Sequence, residues 1–222
     1  MTFSIIAHDS GSGQVGIAGS ARVALDSDPG TAVRLLEEAL AATADLPDSE
    51  GRSSADHVLG VALQMTGDLE GTREVMRARL ERARKNGHEY AVAIESANLS
   101  MVERQLGNVD AAEELSLDAL RISSRSRNEI MVPWVINGLA AVTAARGRLE
   151  RAAVLLGVAE ALLGRAGGQW PPDEREQYER TLAIVSASLS SEPLERARAA
   201  GHAMSLAEGT AFALATPGDD RA

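Results

Sequence analysis

Cysteine is absent from this chain of 222 residues, and only one of its 22 basic residues, Lys85, is a lysine. The absence of cysteine excludes disulfides, thiolate metal sites and a cysteine nucleophile. A glycine-rich phosphate loop that ends in lysine and a hydroxyl residue cannot be built around Lys85. Aromatic residues make up 3% of the chain, whereas alanine, leucine, arginine and glutamate are abundant. That balance favours helices over sheets.

The chain also lacks the signals of a membrane or secreted protein. Its longest apolar run, residues 136–145, is about half of the ~20 residues that a membrane-spanning helix needs. The first arginine is Arg22, so the basic start of a secretory signal is missing. We therefore expect a cytoplasmic protein that does not span a membrane.

The charge and the histidines exclude further classes of function. The net charge is −10, which argues against direct binding to nucleic acid. The four histidines, His8, His57, His88 and His202, have no metal-ligand spacing with one another or with acidic residues. The sequence therefore predicts no metal, no cofactor and no direct nucleic-acid partner.

A repeat of forty residues runs through the middle of the chain. Gly67, Gly107 and Gly147 are spaced at this interval, and each is followed by a stretch with apolar residues at helical spacing. One further step back leads to Asp28-Pro29-Gly30, at the positions of Asp68 to Glu70, and a similar stretch follows it. The four stretches contain Ala32, Leu35, Leu36, Ala39 and Leu40; Thr72, Val75, Met76, Leu80 and Ala83; Ala112, Leu115, Ala119 and Leu120; and Ala152, Leu155, Leu156, Ala159 and Leu163. Four helices in the same register predict a repeat protein.

A partner helix precedes each of the three glycines. Leu59-Gly60, Leu99-Ser100 and Leu139-Ala140 occupy matching positions, each a large apolar residue beside a small one. Small residues also recur at the start of the second helix, namely Ala32, Thr72, Ala112 and Ala152. Antiparallel helices approach closely only where their side chains are small, so these positions should mark where the two helices of a hairpin cross. The glycine between them should end the first helix with a positive φ.

These residues resemble the tetratricopeptide pattern. Leu59-Gly60, Leu63, Gly67 to Glu70, Thr72 and Met76 carry the likeness, although tetratricopeptide repeats have a period of ~34 residues and aromatics where this chain has aliphatics. The resemblance implies an all-α antiparallel helix-hairpin solenoid of about four repeats of ~40 residues, with C-terminal capping helices.

The last third of the chain is similar to a more specific group. Residues 147–163, 171–180 and 200–214 resemble the C-terminal region of LuxR-type and related predicted-ATPase bacterial transcriptional regulators. With the repeats, the likeness covers roughly residues 28 to 215. It implies a non-enzymatic sensor arm that binds a protein, a peptide or a small effector.

In tetratricopeptide arrays the first helix of each hairpin lines a concave groove, and the resemblance implies which positions would do so here. The predicted partner-binding residues are His57, Val61 and Gln64, then Ile94, Met101, Arg104 and Gln105, then Trp134 and Asn137. Together they would form a mostly apolar groove with a few polar groups and one tryptophan. Such a surface suits a peptide or an amphipathic helix.

The first 25 residues follow a different pattern. Residues 1–8 are strand-like, and Gly11, Gly13 and Gly16 form a lone glycine motif that we interpret as a turn rather than a cofactor site. This stretch resembles the start of an uncharacterised family with an N-terminal-nucleophile-hydrolase-like fold. The resemblance implies an alternative function, an amide hydrolase with Thr2 as nucleophile. The forty-residue register, however, extends to Ser20 and Val23 and favours a first repeat helix from Gln14 to Leu25.

The predicted organisation is an extension over residues 1–13, repeats over 14–164, capping helices over 165–216 and a disordered tail over 217–222. A structural oligomerisation element is a further alternative. A first helix without a neighbour would leave an apolar face that could pair with a second copy, giving a homodimer.

Overall fold

The computed structural model describes residues 6–8, 15–17, 28–42, 50–126 and 129–215. The chain divides into two compact units, residues 1–86 and residues 87–222. Ten helices lie in the described ranges.

The first unit contains two short strands and three helices. Strand β1 (Ile6–His8) pairs with strand β2 (Val15–Ile17) in antiparallel register, with Ala7 opposite Gly16. The helices are α1 (Pro29–Ala42), α2 (Glu50–Thr66) and α3 (Leu69–Lys85), and α2 packs against both of the others. The core of this unit consists of Ala32, Leu36, Ala55, Leu59, Ala62 and Leu63.

The second unit consists of seven helices. These are α4 (Glu89–Gln105), α5 (Val109–Arg125), α6 (Met131–Ala145), α7 (Leu149–Arg165), α8 (Pro172–Ser188), α9 (Ser191–Ala203) and α10 (Leu206–Leu214). Helices α4 and α5 form one hairpin, and α6 and α7 form the next. The largest buried core of the described residues is centred on α6 and α7.

The predicted glycine turns are confirmed. Gly67, Gly107 and Gly147 have φ values of 84°, 84° and 75°, and each ends a helix in the left-handed region that glycine adopts without strain. Gly87, halfway between Gly67 and Gly107, and Gly167, 20 residues after Gly147, have φ values of 68° and 67° and end α3 and α7. Because α3, α4, α5 and α7 are each 17 residues long, the forty-residue repeat consists of two helix-turn steps of about half that length.

The predicted helix crossing is confirmed in the hairpin of α4 and α5, and the small residues of that column are buried in all four copies. Ala32, Thr72, Ala112 and Ala152 are fully buried. In the hairpin of α4 and α5, the Ser100 hydroxyl donates a 2.7 Å hydrogen bond to the carbonyl oxygen of Ala112 across the crossing. Only a small side chain at each position permits this approach, so the sequence columns mark real contacts between helices.

In the C-terminal part, two glycines within helices allow a close helix crossing. Helix α9 packs against α7 so closely that a Cβ added at Gly201 would lie 2.1 Å from the carbonyl oxygen of Val154. A Cβ at Gly157 would lie 2.3 Å from the carbonyl oxygen of Arg198. The two backbones therefore touch directly at this crossing. Helix α10 then contacts α5, α6 and α7, and begins with a capping box formed by Ser205 and Glu208.

One predicted helix is wrong where the structure describes it. We expected a helix from Gln14 to Leu25, but Val15–Ile17 is a strand paired with Ile6–His8. Two of its three residues are β-branched, which favours the strand, and the repeat register extrapolates too far towards the N-terminus. Residues 18–25 of that predicted helix lie outside the described ranges.

Candidate functional site

The first side of the candidate site is one face of α4. Tyr90, Ile94, Ala97, Met101 and Arg104 follow one another at intervals of three or four residues and therefore share this face. Tyr90 is 60% exposed, and the next three are partly buried. The face is thus an apolar stripe that stays partly accessible and ends in a cation.

The second side is formed by α6. Trp134, Gly138 and Val142 lie four residues apart and point to the same face of the helix. Gly138 faces α8, because a Cβ added there would make ordinary contact, at 3.8 Å, with the side-chain amide nitrogen of Gln177. Helix α6 therefore forms the floor of a depression between α4 and α8.

We call this depression the Arg104–Trp134 notch. It is lined by Ala97, Ser100, Met101, Arg104, Ser116, Trp134, Val135, Gly138, Val142, Glu174 and Gln177. The empty space between them is about 300 Å³, part of it open solvent, and its enclosed part has room for about one water molecule. The notch is consequently a narrow cleft with an open mouth and cannot enclose a small molecule.

Helix α8 closes one side of the notch through two polar contacts. The Arg104 guanidinium donates a long hydrogen bond of 3.4 Å to the Gln177 amide oxygen. The Asn137 amide donates to the backbone oxygen of Glu174 at 3.0 Å and to its carboxylate at 2.7 Å. The first contact joins a cationic guanidinium to a neutral amide oxygen at the edge of hydrogen-bond range. The second is shorter and holds the Glu174 carboxylate in place.

Arg104 is electrostatically isolated. Burial, together with the positive charge of Arg180, lowers the pKa of its guanidinium, which stays protonated because arginine is a very strong base. In the described part of the chain Arg104 has no carboxylate within ion-pair distance, while Arg146 and Arg148 pair with Glu113 and Arg198 pairs with Glu160. A partly buried cation without a counter-ion is unfavourable.

Trp134 has an unsatisfied group in the same place. Its indole N–H is buried and has no hydrogen-bond partner among the described residues. The neighbouring hydroxyls of Ser100 and Ser116 are satisfied, because they bond to each other at 2.7 Å and Ser100 also donates to the carbonyl oxygen of Ala112. The notch thus combines an apolar floor with one free donor and one unpaired cation.

The structure brings some of the predicted site residues together. Met101, Arg104 and Trp134 line the notch, Ile94 lies on the same α4 face, and Gln105 is exposed at the end of that helix. Asn137 is 0% exposed beneath Glu174, so a partner cannot reach it, and we remove it from the candidate site. His57, Val61 and Gln64 lie on α2 in the first unit, where His57 is exposed and the other two are partly buried.

Sequence reasoning missed the contribution of α8. Gln177 lies 73 residues from Arg104, on a helix that we expected only to cap the array. Its side chain is 7% exposed. The sequence signal for this contact is an uncharged glutamine among the charged residues of the first half of the helix, and that signal is weak.

A second polar cluster joins three helices behind the notch. The Glu160 carboxylate on α7 accepts hydrogen bonds from Arg198 (2.6 Å), from the hydroxyl of Tyr178 (3.1 Å) and contacts the ring of His202 (2.9 Å). Burial would raise the pKa of Glu160, but its contacts with His202, Arg198 and Tyr178 outweigh burial and lower it. Burial raises the pKa of Tyr178, whose ring stacks on Trp170. We interpret this cluster as structural.

The described residues contain neither a cluster suited to a metal ion nor a helix suited to span a membrane. Within the described ranges, no group of three histidine, aspartate or glutamate side chains is placed to hold a metal ion. No helix of those ranges is long and apolar enough to cross a membrane. Thr2, the predicted nucleophile of the alternative hydrolase, lies outside the described residues.

Comparisons with known proteins agree on the fold. The chain superimposes with a TM-score of 0.61 on a Podosopora anserina protein assigned as a kinesin light chain with nearly identical TPR-like repeats, at 20% identity over 82% of this chain and 92% of that one. BtubC (BKLC) from P. vanneervenii gives the same TM-score at 22% identity, over 84% and 81% of the two chains.

No family profile matches the chain, and no curated protein matches it in sequence. At the identities found, the structural likeness establishes the fold and leaves function to the site itself. The predicted fold is confirmed: this is an all-α protein of tetratricopeptide-like helix hairpins, with one short pair of strands near its start.

Proposed function

We propose that the chain is a non-enzymatic module that binds a segment of another protein along the α4 face and the mouth of the Arg104–Trp134 notch. The observation that carries the proposal is the partly exposed stripe of Tyr90, Ile94 and Met101, which continues into Trp134 and Arg104. Exposed aromatics, methionine and arginine in one patch are the residue types that carry most of the energy in protein interfaces.

The size of the notch favours a protein segment over a small effector. A pocket that holds a small molecule usually encloses several hundred Å³ and covers most of its ligand. Here the enclosed space admits about one water, whereas the stripe is three turns of helix long. An extended peptide or a helix laid on the stripe can bury apolar area without entering an enclosed cavity.

We further propose that the module acts as the sensor arm of a LuxR-type transcriptional regulator, in which partner binding would be transmitted to a DNA-reading segment. The support for this is the resemblance of residues 147–163, 171–180 and 200–214 to those regulators. Sequencing of the neighbouring reading frames tests it: a P-loop domain and a helix-turn-helix segment beside this coding region are expected, and genes without any regulator would contradict it.

The experiment for binding starts from a phage-displayed library of random linear peptides selected on the full chain. Peptides that bind the wild type should lose about 2 kcal/mol or more with Trp134→Ala, as measured by fluorescence anisotropy. Trp170→Ala is the matched control, because it removes the other tryptophan, which stacks on Tyr178 and does not line the notch.

Two further readouts keep the result interpretable. Met101→Ala is a milder change on the other side of the notch and should weaken the same peptides. The chain has two tryptophans, so a ¹⁵N spectrum has two indole signals, and only that of Trp134 should shift on peptide addition. Equal losses for Trp134→Ala and Trp170→Ala, or a shift confined to Trp170, would contradict this location of the site.

A further inference from the structure

The residues that line the notch indicate the chemistry of the bound segment. The inference drawn from them rests on the proposed function above. Arg104 is the cation at the mouth of the notch, and its hydrogen bond to Gln177 is long, at 3.4 Å, and made to a neutral amide oxygen. A carboxylate would add charge attraction and can accept two parallel hydrogen bonds from a guanidinium, which the single amide oxygen of Gln177 cannot do.

No carboxylate of the described residues competes for this cation. Glu174 lines the same notch, but its carboxylate accepts a 2.7 Å hydrogen bond from Asn137 on α6. Glu176 pairs with Arg180 on the outer side of α8. The Arg104 guanidinium therefore lines the notch without a carboxylate partner among the described residues, beside the apolar surface of Met101 and Trp134.

We infer that the bound segment presents an acidic side chain, whose carboxylate pairs with Arg104 in place of the Gln177 amide oxygen, next to an apolar side chain that packs on Met101 and Trp134. The contact combines charge complementarity at a cation without a counter-ion with burial of apolar area beside it. Since the Gln177 bond is weak, its exchange for a carboxylate costs little.

The test uses peptides selected from the same random library on the full wild-type chain. Selected peptides should share an Asp or Glu, and its replacement by Asn or Gln should weaken binding to the wild type at least ~10-fold. With Arg104→Gln the acidic and amide peptides should bind within about twofold of each other, while Arg104→Lys should retain part of the preference. Arg121→Gln is the control, since Arg121 is exposed and pairs with Asp118 on its own helix.

A second variant supplies the carboxylate from within the chain. Gln177→Glu would pair with Arg104 internally, so acidic peptides should bind at least ~10-fold more weakly, whereas amide peptides should be little affected. Gln169→Glu changes the net charge equally at an exposed position that does not line the notch. It should leave both peptides unchanged, which separates the local pair from a general charge effect.

Each outcome has a definite meaning. Selected peptides without acidic residues, or an acidic preference that persists in Arg104→Gln, overturn the inference while the proposed function stands. Peptides that bind without any dependence on Trp134 or Met101 contradict the proposed site and the inference together. The absence of any selected peptide counts against both.

Discussion

Replacement of Gly201 by alanine tests the backbone contact between α7 and α9. The added Cβ would lie 2.1 Å from the carbonyl oxygen of Val154 and 2.8 Å from the amide nitrogen of Val158. Both neighbours are backbone atoms within a helix, so neither can turn aside, and the two helices must separate by about 1 Å to restore ordinary contact.

The magnitude follows from two opposing effects. Overpacking of this kind costs roughly 3 kcal/mol, and alanine regains about 1 kcal/mol over glycine in helix propensity. We therefore expect Gly201→Ala to lower the free energy of unfolding by about 2 kcal/mol, which corresponds to a decrease in melting temperature of roughly 4–8 °C for a chain of this size.

Gly164→Ala is the matched control. It lies in α7 as well, and a Cβ added there meets no atom within 4 Å, so it should be neutral or stabilising. Urea denaturation followed by circular dichroism gives the free energies, and hydrogen exchange of the α9 amides detects local release of that helix. The reasoning is refuted if Gly201→Ala matches Gly164→Ala in stability and leaves the exchange of α9 unchanged.

Three further predictions concern turns, caps and pH. Gly107→Ala places a side chain at φ 84° in open space and should cost about 1 kcal/mol of unfolding free energy from backbone strain alone, measured beside Gly164→Ala in the same urea assay. Ser205→Ala removes the capping box of α10 and should cost about 1 kcal/mol, visible as faster hydrogen exchange in α10 only. The folded state lowers the pKa of Glu160, so the contribution of this carboxylate to stability is present above its ordinary pKa of 4.5 and is lost as the pH falls through the lower folded value. The difference in melting temperature between the wild type and Glu160→Gln should therefore disappear below about pH 4.5. A difference that stays constant from about pH 7 to about pH 3 would contradict this.

Much of the fold could be predicted because its decisive contacts are local or periodic. Gly67, Gly107 and Gly147 end helices that start a fixed number of residues earlier, and the small residues at Ala112 and Ala152 sit where hairpin partners cross. Such features repeat in the sequence, so one copy supports the interpretation of the next. The same reliance on period produced the error at Val15–Ile17, where strand pairing overrides the register.

The notch could be predicted only in part. The α4 residues Ile94, Met101 and Arg104 and also Trp134 were expected from the tetratricopeptide resemblance, but Arg104 meets Gln177 through a contact between distant helices that no period encodes. The close crossing at Gly157 and Gly201 is equally hidden, because a glycine within a helix does not reveal which backbone approaches it. Asn137 was misplaced for the same reason, since its partner Glu174 belongs to α8.

The position of α8 depends on contacts made from both of its sides, and this explains how a weak bond can close the notch. On one side Gln177 reaches Arg104 at 3.4 Å; on the other, the adjacent Tyr178 donates to Glu160, which also holds Arg198 of α9. Arg198 is the residue whose backbone lies against Gly157. Tyr178 holds α8 to Glu160 of α7, and α7 is held in turn to α9 by the backbone crossing and by Arg198. Gln177 therefore need not bind Arg104 tightly to remain near it, and the cation stays available in a preformed cleft.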